Sequence, residues 1–353
     1  MIRRFLVVLA CVLAAANARA DLADDLKKNA ESVKRAKALW TQGTLPANLN
    51  LDAEISALTR IIDDGKMNAA GRTVAQYYRG DANLLVNAAR VNANRPVNVD
   101  AAREALADYD RVIKQGKDIP DWGVDVANAA YYAGWIAQRY LNSVPLAYSY
   151  WEKCADTGHS GCLMAVADAR VTGVGGVKVD VDQALALNSQ VFNSGANYGC
   201  AGAYAARNNA LIIFFTKTKR PATEALEWLE RSKRLFDSNG CARARFDIIE
   251  YLMRYSADDP SRGAQLKLAA KHAANDDDRA ILRYLTNGDE DAFRAQIARN
   301  PTKAGKCDLH FIAMWNAEVN RNGGVARDHY KAMQGIGPEA CGPELTYVKK
   351  FNR

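Results

Sequence analysis

The chain has 353 residues, 49% of them apolar and 25% charged, which provides for a sizeable core and excludes a disordered tail, a collagenous fibre and a disulfide mini-scaffold. The formal net charge of +7 is spread thinly, with no basic run longer than a pair such as Lys27-Lys28 or Lys349-Lys350. The concentrated cationic stripe of a nucleic-acid binder is therefore missing. With only nine prolines and abundant alanine, the composition leans toward helix.

Residues 1–20 read as a secretory leader. Arg3 and Arg4 precede an apolar stretch from Phe5 to Ala16, and Ala18-Arg19-Ala20 offers small residues where a signal peptidase cuts, before Asp21. The stretch is too short to span a bilayer. Lipid attachment at Cys11 is the weaker alternative, because only six apolar residues, Phe5 to Ala10, precede the cysteine. Removing the leader takes away three arginines and no acid, leaving a balance of +4. No later stretch is long enough to cross a membrane, since Gln138 and Arg139 interrupt the apolar run from Ala127 to Leu141. The product is expected to be soluble and either periplasmic or secreted.

Beyond the leader, one pattern recurs: an apolar stripe at helical spacing followed by glycine. Leu58, Ile61 and Ile62 precede Gly65, and Ala105, Tyr109 and Val112 precede Gly116. Ala147, Trp151 and Ala155 precede Gly158, and Ala184, Leu187 and Val191 precede Gly195. Glycine after the last turn predicts a left-handed C-terminal cap, and Asn275 repeats the spacing after Ala264. The starting alanines Ala105, Ala147, Ala184, Ala225 and Ala264 are 42, 37, 41 and 39 residues apart. That period corresponds to one helix pair per unit and predicts an all-α fold, an α/α solenoid of antiparallel hairpins. The second helices are predicted at Val124 to Leu141, Cys162 to Val171, Ala201 to Phe215, Ala242 to Arg254 and Arg279 to Leu285. No strand-type alternation is evident.

Without Cys11, six cysteines remain: Cys154, Cys162, Cys200, Cys241, Cys307 and Cys341. An even number in an exported chain suggests three disulfides, with fifteen pairings open. No cysteine pair is separated by two residues and no histidines are paired nearby, so zinc is not expected.

Gly173-Val174-Gly175-Gly176-Val177-Lys178-Val179-Asp180 precedes Ala184, and Gly323-Gly324-Val325-Ala326-Arg327-Asp328 precedes Ala332. Both read Gly-Gly-Val, two residues, Asp, three residues, Ala. The glycines are expected to close one helix and the aspartate to cap the next. Pattern and period together resemble the Sel-one-like repeats, disulfide-bearing relatives of tetratricopeptide repeats. The resemblance is closest over residues 98–220, looser over 221–290, and returns over 305–341. It implies an N-terminal helical-repeat segment at 21–97, a repeat array at 98–290 and a C-terminal disulfide-linked hairpin at 291–353. In the cysteine-rich exported branch a bridge lies within each repeat, which the resemblance carries to Cys154 and Cys162. Cys200 and Cys241 keep only the second position, at the same end of neighbouring helices, where they can bridge between repeats. Cys307 opens a helix and Cys341 follows its antiparallel partner, so those ends are expected to meet.

Catalytic constellations are not visible. His159, His272, His310 and His329 show no metal or relay spacing. His159 is expected to be exposed in a turn, while His310 and His329 either face each other across the last hairpin or form a surface pair. Some cysteine-rich relatives are described as β-lactam binding or β-lactamase-like, but the mature chain has no serine followed three residues later by lysine, and no Gly-x-Ser-x-Gly. The acidic runs Asp276-Asp277-Asp278 and Asp289-Glu290-Asp291 are expected at helix starts, where they complement the dipole.

Two features suggest binding. Asn83, Asn87, Arg90 and Asn94 share one helix face and can line a groove for an extended peptide backbone, or simply face solvent. Between Trp122 and Trp151 the chain is densest in aromatics. Most of these belong to the core, but Tyr132 and Tyr150 lie off the core stripes and are candidate interface anchors. The expected function is a non-catalytic exported scaffold for an unknown protein or peptide, needing no cofactor and no metal and binding no nucleic acid. The alternative is an envelope enzyme or binder acting on cell-wall or β-lactam material.

Overall fold

Seventeen α-helices and two 3-10 turns make up the secondary structure of the described residues, with no strand among them. The computed structural model describes residues 20–41, 45–93, 95–194, 200–216, 220–239, 244–273, 275–300 and 302–348. Residues 1–19 of the leader, Asn94, Gly195 and Cys241 lie outside these. The all-α class is the one expected from the repeats. The chain divides after His159 into two compact units, so the division falls inside the 98–290 array and residues 291–348 belong to the second unit.

The first unit contains α1 (Ala20–Thr41), α2 (Asp52–Asp63), α3 (Ala69–Asn92), α4 (Val99–Gln115), α5 (Gly123–Arg139) and α6 (Val144–Ala155). Each helix packs on the next in sequence, and α3 also touches α1, as short connections between amphipathic helices require. Asn68 caps α3 by accepting from Gly71 N at 2.7 Å, and Asn98 caps α4 by accepting from Ala101 N at 3.2 Å. Helix α3 buries Leu84 and Leu85 completely, together with an unusual number of polar side chains. Its charged ones are paired: the Arg79 guanidinium donates to both oxygens of Asp108, each at 2.8 Å. Asp81 accepts from Lys37 Nζ and from the Tyr109 hydroxyl at 2.6 Å.

The second unit contains α7 (Ser160–Thr172), α8 (Val181–Asn193), α9 (Ala201–Phe215), α10 (Ala222–Asn239), α11 (Ala244–Ser256), α12 (Arg262–His272), α13 (Asp276–Asn287), α14 (Glu290–Arg299), α15 (Lys303–Val319), α16 (Gly323–Ile336) and α17 (Pro338–Val348). Its core gathers Phe215, Phe311, Trp315 and Tyr347, with the Phe215 and Tyr347 rings stacked at 5.3 Å. Helix α17 packs on α15 and α16 and also returns to α7, α9 and the 3-10 turn Val174–Gly176. A Cβ at Gly342 would lie only 3.2 Å from Val174 Cγ2. The last helix of this unit therefore closes on the first.

The repeat period has a direct packing cause. Ala105, Ala147, Ala184 and Ala225 are all fully buried, and a methyl group at that point lets the next helix approach closely. Ala264, the fifth marker, is exposed, and Gln265 and Ala269 turn inward instead; the register has slipped there.

Local signals are followed unevenly. Gly158 adopts the left-handed conformation expected of it (φ +79°). Gly116 does not: its φ is −68° and it enters a 3-10 turn, and its smallness serves packing, since a Cβ would meet Val126 Cγ2 at 2.8 Å. Asn275 opens α13 rather than closing α12, accepting from Asp278 N at 2.8 Å. The two Gly-Gly-Val copies also differ. The first is a loop followed by the expected cap, with Asp180 accepting from Gln183 N at 2.9 Å. In the second, Asn322 is the cap, Gly323 and Gly324 form the first turn of α16, and Asp328 lies within the helix.

Cys307 and Cys341 form a disulfide between α15 and α17, with Cα atoms 5.5 Å apart, as the antiparallel ends suggested. Closing a loop with a sequence separation of 34 contributes about 3–4 kcal/mol by chain entropy. Replacing both cysteines by alanine is expected to lower stability by that order, measured by urea unfolding. In the first unit, a Cβ at Gly134 would collide with the Trp151 indole of α6. Gly134→Ala is expected to destabilise by about 1–3 kcal/mol, seen as a lower Tm with unchanged helical circular dichroism.

Candidate functional site

The predicted polar ladder of α3 does hold a peptide backbone, but it is the chain's own. Asn87 is fully buried; its Oδ1 accepts from Asn98 N at 2.7 Å and its Nδ2 donates to Asn98 O at 3.1 Å. Arg90 Nε donates to Pro96 O at 2.8 Å, and buried Asn83 donates to Glu104 at 3.0 Å. Asn87 and Arg90 therefore hold the segment leading into α4 and Asn83 ties α3 to α4 itself, with the two asparagines buried and Arg90 partly exposed. Asn94 lies outside the described residues.

The aromatic candidates are likewise occupied. The Tyr132 ring lies under Lys37 Nζ at 4.1 Å and stacks near Tyr109 at 6.3 Å. Tyr150 is buried and its hydroxyl donates to Asp110 Oδ1 at 2.8 Å. Both therefore make contacts within the first unit, Tyr150 buried and Tyr132 partly so.

The histidines are more engaged than their spacing suggested. His159 is half-buried rather than exposed, with its ring 5.2 Å from Tyr131 and its Nε2 3.1 Å from Asn128 Oδ1. A nitrogen of His159 comes within 4.8 Å of Cys154 Sγ, but Cys154, like Cys162 and Cys200, is disulfide-bonded, which removes the thiolate a metal would need. His272 pairs with buried Asp247 at 3.0 Å. The face-to-face alternative holds for the last hairpin: His310 Nδ1 and His329 Nδ1 are 2.8 Å apart, and His329 Nε2 is 3.0 Å from Glu290 Oε1. Glu290 opens α14, where an acid was expected at a helix start.

The richest polar cluster that remains partly open lies where α7, α9, α15 and α17 meet in the second unit. It contains Asp168 of α7, Arg207 of α9, Asp308 of α15 and Glu344 of α17, each partly exposed, beside buried Tyr347. Arg207 lies over the Tyr204 and Phe246 rings, 5.3 Å from each centroid, as guanidinium groups favour. Asp308 accepts from Arg245 Nη1 at 2.7 Å, and Arg245 Nε also donates to Asp278 at 2.8 Å.

Although Asp168 and Glu344 as whole residues are only partly buried, surrounding protein strips most of the hydration from their carboxyls. Desolvation pushes Asp168 up to about 6 against the pull of Arg207. Desolvation, with the repulsion of Asp308 and Asp168, pushes Glu344 up to about 8. Near neutral pH the cluster therefore presents a protonated Glu344 that can donate and an Asp168 carboxylate that can accept. Sequence reasoning missed these residues because it looked for contiguous motifs. The available signal was a charge inside each of the alanine-rich second helices, Asp168 and Arg207, where apolar packing was expected.

No family model, no curated protein and no solved structure matches the chain. No helix among the described residues is long and apolar enough to cross a membrane.

Two opposite pH slopes follow from these environments. Glu344 binds its proton more tightly in the native state (about 8) than at its ordinary 4.5, so its contribution to stability falls as pH rises between those values. His310 behaves inversely. Burial first, then His329, Arg294 and Lys306, push it from 6.5 down to about 4, so stability is lost as pH falls through that window. Between pH 4.5 and 6.5 the two slopes oppose each other, so urea midpoints measured from pH 4 to 9 should show Glu344→Gln flattening the decline between pH 6.5 and 8, and His310→Gln turning the near-level stretch from pH 4.5 to 6.5 into a decline.

Proposed function

We propose that the protein is an exported, non-catalytic helical-repeat scaffold that binds a protein or peptide partner through the face formed by α7, α9, α15 and α17. One observation supports this most: Asp168 and Glu344 are desolvated carboxyls drawn from two helices with Arg207 of a third beside them, and among the described residues Arg207 has only the neighbouring Asn208 Oδ1 as a hydrogen-bond acceptor, at 3.1 Å from Nη2. Fully buried charges elsewhere have matched partners, as in the Arg79–Asp108 pair. A partner offering an amide or ammonium donor to Asp168 and an acceptor to Arg207 would recover interactions that the free face lacks. Export rests on the leader and on the disulfide-bonded cysteines, and kinship with Sel-one-like repeats rests on the buried alanine period.

A second reading, an envelope enzyme acting on cell-wall or β-lactam material, is favoured by the same carboxyls. Two acids of different proton affinity on one face are a layout used for general acid and base work.

Peptides selected from a displayed library on the processed chain should lose about tenfold in affinity with Asp168→Asn or Glu344→Gln, while circular dichroism stays unchanged. Equal affinities in the variants would refute the assignment of this face. Hydrolysis of nitrocefin or release of muropeptides by the wild-type chain, abolished by Glu344→Gln, would replace the scaffold with the enzyme.

A further inference from the structure

A second site, remote in composition from that face, lies among α14, α15 and α16. There the helices leave a cleft of about 390 Å³ walled by Ile297 and Ala298 of α14 and by Ala332, Gly335 and Ile336 of α16. Its polar lining consists of Arg294, Lys306 and His310. The volume falls within the range of small-molecule pockets, and the composition is selective: two cations, one imidazole and otherwise hydrocarbon.

The charges can be followed individually. Arg294 Nε is already engaged by the Glu290 carboxylate at 2.7 Å. Lys306 has no carboxylate within ion-pair distance among the described residues. The lining and its immediate partner therefore carry one uncompensated positive charge beside an apolar wall, which suits a single anionic group.

The imidazole's role follows from its neighbours. A carboxylate only accepts hydrogen bonds, so His329 Nε2 must carry the proton shared with Glu290. His329 Nδ1 is then the unprotonated nitrogen, and the 2.8 Å contact requires His310 Nδ1–H to be the donor. His310 Nε2 is left with its lone pair as the polar atom that the ring offers to the cleft. Burial and the nearby cations keep this imidazole neutral at ordinary pH, so it accepts a hydrogen bond and does not supply a third positive charge.

We propose that this cleft binds a small aliphatic carboxylate bearing a hydrogen-bond donor next to its carboxyl group, such as a 2-hydroxy acid. The carboxylate pairs with Lys306 and the free edge of Arg294. The hydroxyl donates to His310 Nε2, and the alkyl chain covers Ala298, Ala332 and Ile336. Phosphate or sulfate satisfies the cations but leaves the hydrocarbon wall wet, and a plain fatty acid leaves the imidazole acceptor unpaired. The site does not depend on the partner-binding face proposed above, so either assignment can fail alone.

Calorimetric titration of the full processed chain with 2-hydroxy-4-methylpentanoate, 4-methylpentanoate and 2-hydroxy-4-methylpentanamide tests each element without altering the protein. The hydroxy acid should bind saturably, and removing its hydroxyl or its charge should each weaken binding by about tenfold. Lys306→Met should cause a comparable loss with an unchanged melting curve, and peptide binding at the α7–α9–α15–α17 face should be unaffected. Equal affinity for the three probes, no saturable binding, or wild-type affinity in Lys306→Met would overturn the site. Inorganic phosphate binding as tightly as the hydroxy acid would reduce it to a general anion contact and would also overturn it.

Discussion

A helix of a dozen residues is barely stable alone in water, so nearly everything in this protein follows from the need of each helix to bury one stripe against the next. The stripe is supplied by residues three and four apart, and close approach is made possible by a small residue at a fixed point. Ala105, Ala147, Ala184 and Ala225 occupy that point and are wholly buried. A larger side chain there would push the hairpins apart. The roughly forty-residue period is thus the spacing at which the chain presents a methyl group to its neighbour. Within each unit most helices pack on their neighbours in sequence, because connections this short leave a helix little else to reach.

The polar interior is the second organising element. Arg79 with Asp108, Lys37 with Asp81 and Tyr109, and Lys233 with Glu250 at 2.6 Å each place opposite charges between packed helices. Burying either member alone would be costly, so these pairs specify which helix meets which and in what register. They also explain why a polar helix face is a poor guide to a binding surface here. A partly open polar group that lacks such a match is the more informative signal, and the Asp168 carboxylate, the protonated Glu344 and the Lys306 ammonium are of that kind.

The helices, their order and the all-α class are legible in the periodicity of the sequence. The predicted Ala201 to Phe215 helix coincides with α9, because apolar spacing records burial directly. Caps are less legible. A Gly-Gly-Val-x-x-Asp string forms a loop at 173–180 and a helix start at 323–328, because Asn322 supplies an earlier cap in the second copy. The residues of the candidate site are the least legible. Asn87 looks like a surface amide until residue 98 is seen folded against it. Asp168 and Glu344 lie 176 positions apart in the chain and acquire their shared chemistry only when α17 returns to α7. The approach of His310 to His329 is partly legible, since one turn joins their helices. The participation of Glu290 required a third helix.

The return of α17 to α7 also constrains how the second unit can be lengthened. An open stack can gain or lose a hairpin and still present two usable ends, which is how such arrays diversify in length. Once the terminal helix is seated on the opening one and tied to α15 through Cys307 and Cys341, an inserted hairpin has to break that seal to be accommodated. In this half of the molecule a change of hairpin number is therefore more disruptive than a change of side chain.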